Sequence, residues 1–478
     1  MMQENYTLLC DFYELTMANG YFELGRKDEI AYFDVFFRTI PDGGGFAVFA
    51  GLDQLVQYVY NLRFTEEDIR FLRTKNLFGE EFLTYLRNFR FSGDIWAMKE
   101  GTPIFPGEPI IIVRAPIIEA QLIETFVLLT VNLQSLVATK ANRIVRAAAG
   151  RAVAEFGSRR AQGAQGAILG ARAAYIGGCS STACTISDRE YHIPTTGTMA
   201  HSWVQTFSDE YEAFSAYCRL YPNNATLLVD TYNVLESGIP NAIRAFKENG
   251  IENCGIRIDS GDIAYLSKKA RKMLDAAGLP QCKIIASNSL DEYIIRDLIA
   301  QGAKIDAFGV GERLITAKSD PVFGCVYKLT ALEDAQGNII PRIKISENNE
   351  KITNPSYKKA YRIIDNQTGQ PIADYLTLAE EKIDESQPLE LFDPISTWKR
   401  KTVTDYTARP LHEAVFVAGE CVYQTRDIEE IKAYCLGEID ALWDEVKRFE
   451  NPHRYYVDLS PSLWELKQRM LKNEGHAS

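Results

Sequence analysis

At 478 residues and 46% hydrophobic, the chain can bury large cores and is long enough for two or three domains. Its formal net charge of −12, from 52 basic and 64 acidic residues, argues against a nucleic-acid scaffold, whose affinity comes mainly from neutralising phosphates. The nine cysteines are scattered with no CxxC pair, so reduced thiols and a cytoplasmic location are expected.

The start, MMQENYTLLCDFYEL, has no basic segment with an apolar stretch behind it, and no secretory signal is expected. FYELTMANGYFEL reads as a helix and FDVFFRTI as an alternating strand. GGGFAVFAGLDQLVQYV turns from a glycine loop into a helix. TEEDIRFLRTK opens on a Thr cap with acidic residues in the first turn, as a helix start should. PIIIVRAPIIEAQLIETFVLLTV is the most apolar stretch, but Arg114, Glu119 and Glu124 interrupt it. It reads as a strand and a buried helix, with no membrane span expected.

A strand–helix series follows. RAVAEF, the small-residue helix GAILGARAAYIGG, CSSTACT and a candidate strand IPTTGTMAH form its less regular first part. From Thr226 to Gly311 it becomes regular. TLLVD ends at Asp230, GIRIDSGD carries Asp259, KIIASNS reaches Ser287, and AKIDAFGVGE opens into Gly309 and Gly311. Asp230, Asp259 and Ser287 are spaced 29 and 28 residues apart, with helical patterns between them. This period indicates a parallel α/β barrel or a doubly wound sheet, whose chemistry sits at the carboxyl ends of the strands. Beyond residue 336, AQGNIIPRIKIS and KKAYRIIDNQTGQPIADYL read as hairpin-like segments, and DIEEIKAYCLGEIDALWDEVKRF as a charged helix.

Four clusters can carry chemistry. In GVGERL, Gly309 and Gly311 could let backbone amides approach a phosphate, or simply form a tight turn. In IRIDSGD, Arg257 alternates in phase with Asp259 and could share its face. Asp259 and Asp262 could grip a ribose diol or magnesium, whereas Asp262 could instead cap the next helix. In EFGSRRAQG, Arg159 and Arg160 suit phosphate, pyrophosphate or carboxylate, and Phe156 could stack on a planar ring; a solvated Arg pair and a core Phe are the alternative. In GTMAHSW, His201 is one of five histidines, with His192, His412, His453 and His476. Its imidazole could be a base, a ligand or a phosphoryl acceptor. No second His or Cys stands at zinc-ligand spacing.

Taken together, LLCDFYELTMANGYF, FGSRRAQG, GTMAHSW, IRIDSGD, SNSLDE and FGVGERL, in this order, resemble the nicotinate phosphoribosyltransferases over residues 7–330 and more loosely to about 430. The resemblance implies a parallel α/β barrel of the type II phosphoribosyltransferase kind over 131–335. It also implies an additional N-terminal α+β domain over 1–130. A C-terminal extension over 336–478 would supply strands packing on that domain and terminal helices. It implies synthesis of nicotinate mononucleotide and pyrophosphate from nicotinate and phosphoribosyl pyrophosphate, with ATP as co-substrate and Mg2+ as cofactor. A head-to-tail homodimer is implied as well.

By the same resemblance His201 is the transiently phosphorylated histidine, and Asp259 and Arg257 hold the ribose hydroxyls and ribosyl phosphate. Phe156 stacks on the pyridine ring, with Tyr13 on its other face from a second subunit. Arg159 and Arg160 meet phosphates or the nicotinate carboxylate, and Gly309 and Gly311 cradle the 5′-phosphate. Arg38 reaches a neighbouring site, and Thr198, Asp262 and Ser287 are further substrate contacts. Ser180, Ser181 and Thr182 stand where the nicotinamide-using relative has an aspartate, which fits an anionic substrate. A nicotinamide or quinolinate enzyme, or a non-catalytic regulatory protein on the same barrel, are the other readings.

Overall fold

A computed structural model describes residues 5–347 and 351–475; His476 lies outside them. The described chain forms two compact units, one comprising residues up to Leu136 and from Val322 onward, the other Val137–Pro321.

The second unit is built on six parallel strands. In sheet order they are Ser181–Thr182, Ala152–Glu155, Ala307–Val310, Lys283–Ser287, Cys254–Ile258 and Ala225–Leu228. The regular part of the series comes out as read. The helices Ile239–Glu248, Ile263–Ala276 and Glu292–Ala300 link consecutive strands, and Asp262 and Asp291 cap two of them by accepting from the amides of Tyr265 and Ile294. Apolar strand residues such as Leu227, Ile256, Ile258 and Ile284 meet Phe246, Ala270 and Leu274 of the helices in one core. Continuous apolar runs are what a parallel sheet covered by helices requires.

The candidate strand IPTTGTMAH is a correction. Residues 193–200 are extended but touch the sheet only through the bridge Thr182–Thr195. Pro194 has no amide to donate and Gly197 offers no side chain to pack. His201 consequently opens the short helix His201–Gln205 instead of ending a strand.

The first unit carries a seven-stranded antiparallel sheet that begins Ile339–Pro341, Val326–Glu333, Ile30–Phe36, Ile111–Pro116. The expected helix Phe12–Glu23 and the Thr65 cap, which accepts from the Asp68 amide at 3.2 Å, are both present. The helical stretch 117–147 passes the length and composition test for a membrane span, yet 72% of its apolar window is buried within the protein, as in a core helix.

A second, four-stranded sheet contains the hairpin Lys358–Asp365 and Pro371–Leu378. At its centre Arg362 makes a two-pronged contact to Asp374 at 2.8 and 2.7 Å, with both side chains at most 1% exposed. Tyr455 donates to the same carboxylate, and the stacked rings of Phe105 and Tyr455 lie about the guanidinium. Burial and the Asp374 charge push the neighbouring Glu108 carboxyl well above its usual range. Removing one partner of such a pair strands the other charge in a dry core. Arg362→Met should therefore lower unfolding free energy by about 3–5 kcal/mol in denaturant titration. The double variant Arg362→Met/Asp374→Leu should recover part of that loss, because the stranded Asp374 charge is gone while the Tyr455 hydroxyl still lacks its acceptor.

Candidate active site

The carboxyl ends of the parallel strands bring one polar network together. Arg257, near the end of its strand, lies beside Leu228 on one neighbour and Ile285 on the other. Its guanidinium donates from Nε to Ser287 Oγ (2.8 Å), from Nη1 to Thr198 Oγ1 (3.1 Å) and from Nη2 to Asp259 Oδ1 (3.0 Å). The Ser287 hydroxyl donates in turn to Asp259 Oδ1. Three elements far apart in sequence are thus fixed by one planar cation, a task suited to the rigid donor fork of arginine.

Asp230 closes the other side. Its Oδ2 accepts from the Asp259 amide at 3.1 Å and from Ser260 Oγ at 2.6 Å, while its Oδ1 is buried without a hydrogen bond among the described residues. His201 faces this pair of acids. Its Nε2 stands 3.9 Å from Asp230 Oδ1 and 4.0 Å from Asp259 Oδ2, and its Nδ1 meets Thr231 Oγ1 at 3.1 Å. The ring is oriented on one nitrogen, faces two carboxylates with the other, and keeps its side chain 41% exposed. An imidazole so placed can accept a group from solvent while the facing carboxylates lie near enough to offset positive charge on the ring.

Phe156 adds an aromatic surface. Its amide donates to the Val310 carbonyl, and the Arg257 guanidinium carbon lies 5.6 Å from its ring centre. Gly309 lies directly beneath: a Cβ there would run into the Phe156 ring, and one at Gly311 would sit 2.9 Å from the Phe156 carbonyl oxygen. Gly309 is therefore needed to seat the ring, an account that the phosphate-or-turn choice did not contain. After Ser287 the backbone stays unusual, with Asn288 and Ser289 at φ of 100° and 43°. Such positions concentrate at functional rims.

The remaining candidates fall into place separately. Asp262 is spent on its helix cap, the alternative reading of that residue. Arg159 and Arg160 are exposed on the 3₁₀ turn Ser158–Arg160. Ser180 Oγ donates to the Val153 carbonyl at 3.0 Å, Ser181 is half-buried on the edge strand, and Thr182 is buried. Tyr13 and Arg38 belong to the other unit. Tyr13 is 45% exposed on its helix, and burial together with Glu124 raises the pKa of its phenol. The Arg38 Nε is buried without a hydrogen bond among the described residues. Sequence reasoning did not single out Asp230, Thr231 or Glu155 as site residues. For Asp230 the signal was available, since it ends the first strand of the 29- and 28-residue series.

A planar ring surface beside an arginine, two acids and a histidine gathers at the carboxyl ends of a parallel sheet, the place where α/β enzymes of this architecture carry their chemistry. Comparison with known proteins narrows this. The model of the nicotinate phosphoribosyltransferase (NAPRTase) N-terminal domain matches residues 8–132, that of the NAPRTase family residues 152–362, and that of the nicotinate phosphoribosyltransferase C-terminal domain residues 357–467. The nicotinate phosphoribosyltransferase of Bacillus subtilis (strain 168) is 45% identical over 470 residues, covering 98% of this chain and 96% of its own. The human nicotinate phosphoribosyltransferase is 32% identical over 518 residues, covering 95% of each. The crystal structure of human nicotinic acid phosphoribosyltransferase superposes with a TM-score of 0.84 at 28% identity, over 97% of this chain and 99% of that one.

The chain belongs to the nicotinate phosphoribosyltransferase family and is an enzyme of the phosphoribosyltransferase class. Its fold is the parallel α/β barrel of the type II kind with an N-terminal domain and a C-terminal domain. Because Gly309 makes room for Phe156, Gly309→Ala should displace the ring. Steady-state kinetics should show the KM for nicotinate raised about tenfold, equivalent to about 1.4 kcal/mol, with thermal stability little changed.

Proposed function

We propose that the protein makes nicotinate mononucleotide and pyrophosphate from nicotinate and 5-phosphoribosyl 1-pyrophosphate, coupled to ATP through transient phosphorylation of His201. It would serve NAD salvage from nicotinate, in the cytoplasm. The observation that carries this reading is His201 itself, half-exposed, oriented by Thr231 and facing Asp230 and Asp259. In the first half-reaction the imidazole attacks the γ-phosphorus of ATP. An N–P bond forms, the bond to the β-phosphate oxygen breaks, and ADP leaves. The facing carboxylates balance the positive charge that develops on the ring.

In the second half-reaction the pyridine nitrogen attacks C1 of the ribose as the C1–O bond to pyrophosphate breaks; water then cleaves the N–P bond, releasing inorganic phosphate and restoring the free imidazole. The transition state carries positive charge on the ribose and negative charge on the leaving group. The residues present match those needs: Phe156 for the ring, Asp259 and Ser287 for ribose hydroxyls, Arg257 for the anion. Ser181 offers a hydroxyl, not a carboxylate, toward an anionic ring substituent, whereas the neighbouring Ser180 hydroxyl donates to the Val153 carbonyl. The exposed Arg159 and Arg160 are cations for phosphate or carboxylate.

Among the described residues no three His, Cys, Asp or Glu side chains gather as a metal site. Magnesium commonly binds through one or two carboxylates plus substrate phosphates, and Asp230 Oδ1, which accepts no hydrogen bond from the described residues, fits that pattern. Asp230 and Asp259 would hold the ion, which would neutralise the departing pyrophosphate. A head-to-tail homodimer completes the proposal. Exposed Leu9, Phe12, Tyr13 and Met17 near the N-terminus support such an interface, through which Tyr13 would cover the second face of the pyridine ring.

His201→Ala tests the coupling. Product formation should fall to the ATP-independent rate, and the acid-labile phosphate formed on the wild-type protein from γ-labelled ATP should vanish. Retained ATP stimulation in the variant would refute the phosphohistidine.

A further inference from the structure

Glu155 is the last residue of the strand that carries Phe156 into the site, and its side chain points inward, wholly buried. Its two carboxylate oxygens do different things. Oε1 accepts the Gly157 amide, in the turn that holds the Phe156 ring. Oε2 accepts the Thr182 hydroxyl at 2.6 Å, on the edge strand that carries Ser180 and Ser181. Thr182 is itself tied onward: its Oγ1 accepts from the Cys184 amide at 3.0 Å, its amide donates to the Pro194 carbonyl, and its carbonyl accepts from the Thr196 amide. That extended stretch leads directly to Thr198 and His201. One buried carboxylate thus ties the aromatic wall of the site to its hydroxyl wall.

We propose that Glu155 is a positioning residue that sets the spacing between Phe156 and the Ser180–Thr182 strand, and through it the fit of the aromatic substrate. The inference rests on the reading that Phe156 receives the pyridine ring. Only a carboxylate can accept on both oxygens at once. An amide of the same shape keeps one acceptor and turns an NH2 group toward a hydroxyl that must then reverse or lose its bond. Burial holds the Glu155 carboxyl above its usual range, and the bonds from Thr182 and Gly157 oppose this by favouring the charged, doubly accepting form.

The test compares Glu155→Gln, Thr182→Val and Thr182→Ser in the full-length enzyme. Glu155→Gln should raise the KM for nicotinate about tenfold, while kcat and the KM for phosphoribosyl pyrophosphate stay within about twofold. Thr182→Val, which removes the hydroxyl without touching Glu155, should move the same parameter in the same direction. Thr182→Ser, which keeps the hydroxyl, should behave as the wild type. If Glu155→Gln does not fold, the two Thr182 variants decide the matter. Parallel changes in every kinetic constant and in Tm, or no change in nicotinate KM, would overturn the proposal. Phe156→Ala separates the two levels. If it too leaves nicotinate KM unchanged, the ring-binding reading itself falls; if it raises KM while Glu155→Gln and Thr182→Val do not, only the positioning role falls.

Discussion

The site depends on one shared cation. Arg257 donates to Thr198, Ser287 and Asp259, and it ties the extended stretch carrying Thr198 to the hydrogen-bonded Ser287–Asp259 pair at the strand ends. Its charge also offsets the concentration of acid at this end of the sheet, where Asp230 and Asp259 lie within about one hydrogen-bonded residue of each other. A hydrogen-bonded network of this kind has little freedom to rearrange, since each broken link would leave a polar group unmatched at low local dielectric. Rigidity before substrate arrives is what lets charge stabilisation act without reorganisation cost.

Much of this was legible because parallel α/β units repeat locally. Near-equal spacing places Asp230, Asp259 and Ser287 at or just beyond strand ends, and the in-phase alternation of Arg257 and Asp259 matches their contact at 3.0 Å. Failures occurred where tertiary contacts override local pattern. IPTTGTMAH has strand-like residues yet only one bridge to the sheet, and its real work is to bring Thr198 and His201 to the rim. Gly309 was legible as a special position, but not that the aromatic ring following the adjacent strand Ala152–Glu155, far earlier in the sequence, would occupy the place of its missing Cβ. Glu155 looked like an ordinary strand residue, because its partners at Gly157 and Thr182 meet only after the sheet has formed.

The other unit makes the same point at longer range. Ile30–Phe36 pairs with Val326–Glu333, and Tyr32 donates to Glu333 across 301 positions. No periodicity connects such strands. The buried Lys358–Asp34 contact, at 2.9 Å with both side chains at most 5% exposed, likewise joins the two ends of that unit. Single strands were therefore readable, while their partnership was not. The hairpin Lys358–Asp365 with Pro371–Leu378 was the exception, because its turn residues are local.

The most direct measurement is a crystal structure with nicotinate mononucleotide bound. The account predicts the pyridine ring against Phe156, its carboxylate toward Ser181 and not toward an acidic group, and the ribose hydroxyls on Asp259. A nucleotide bound with its ring away from Phe156, or with its ribose remote from Asp259, would contradict it.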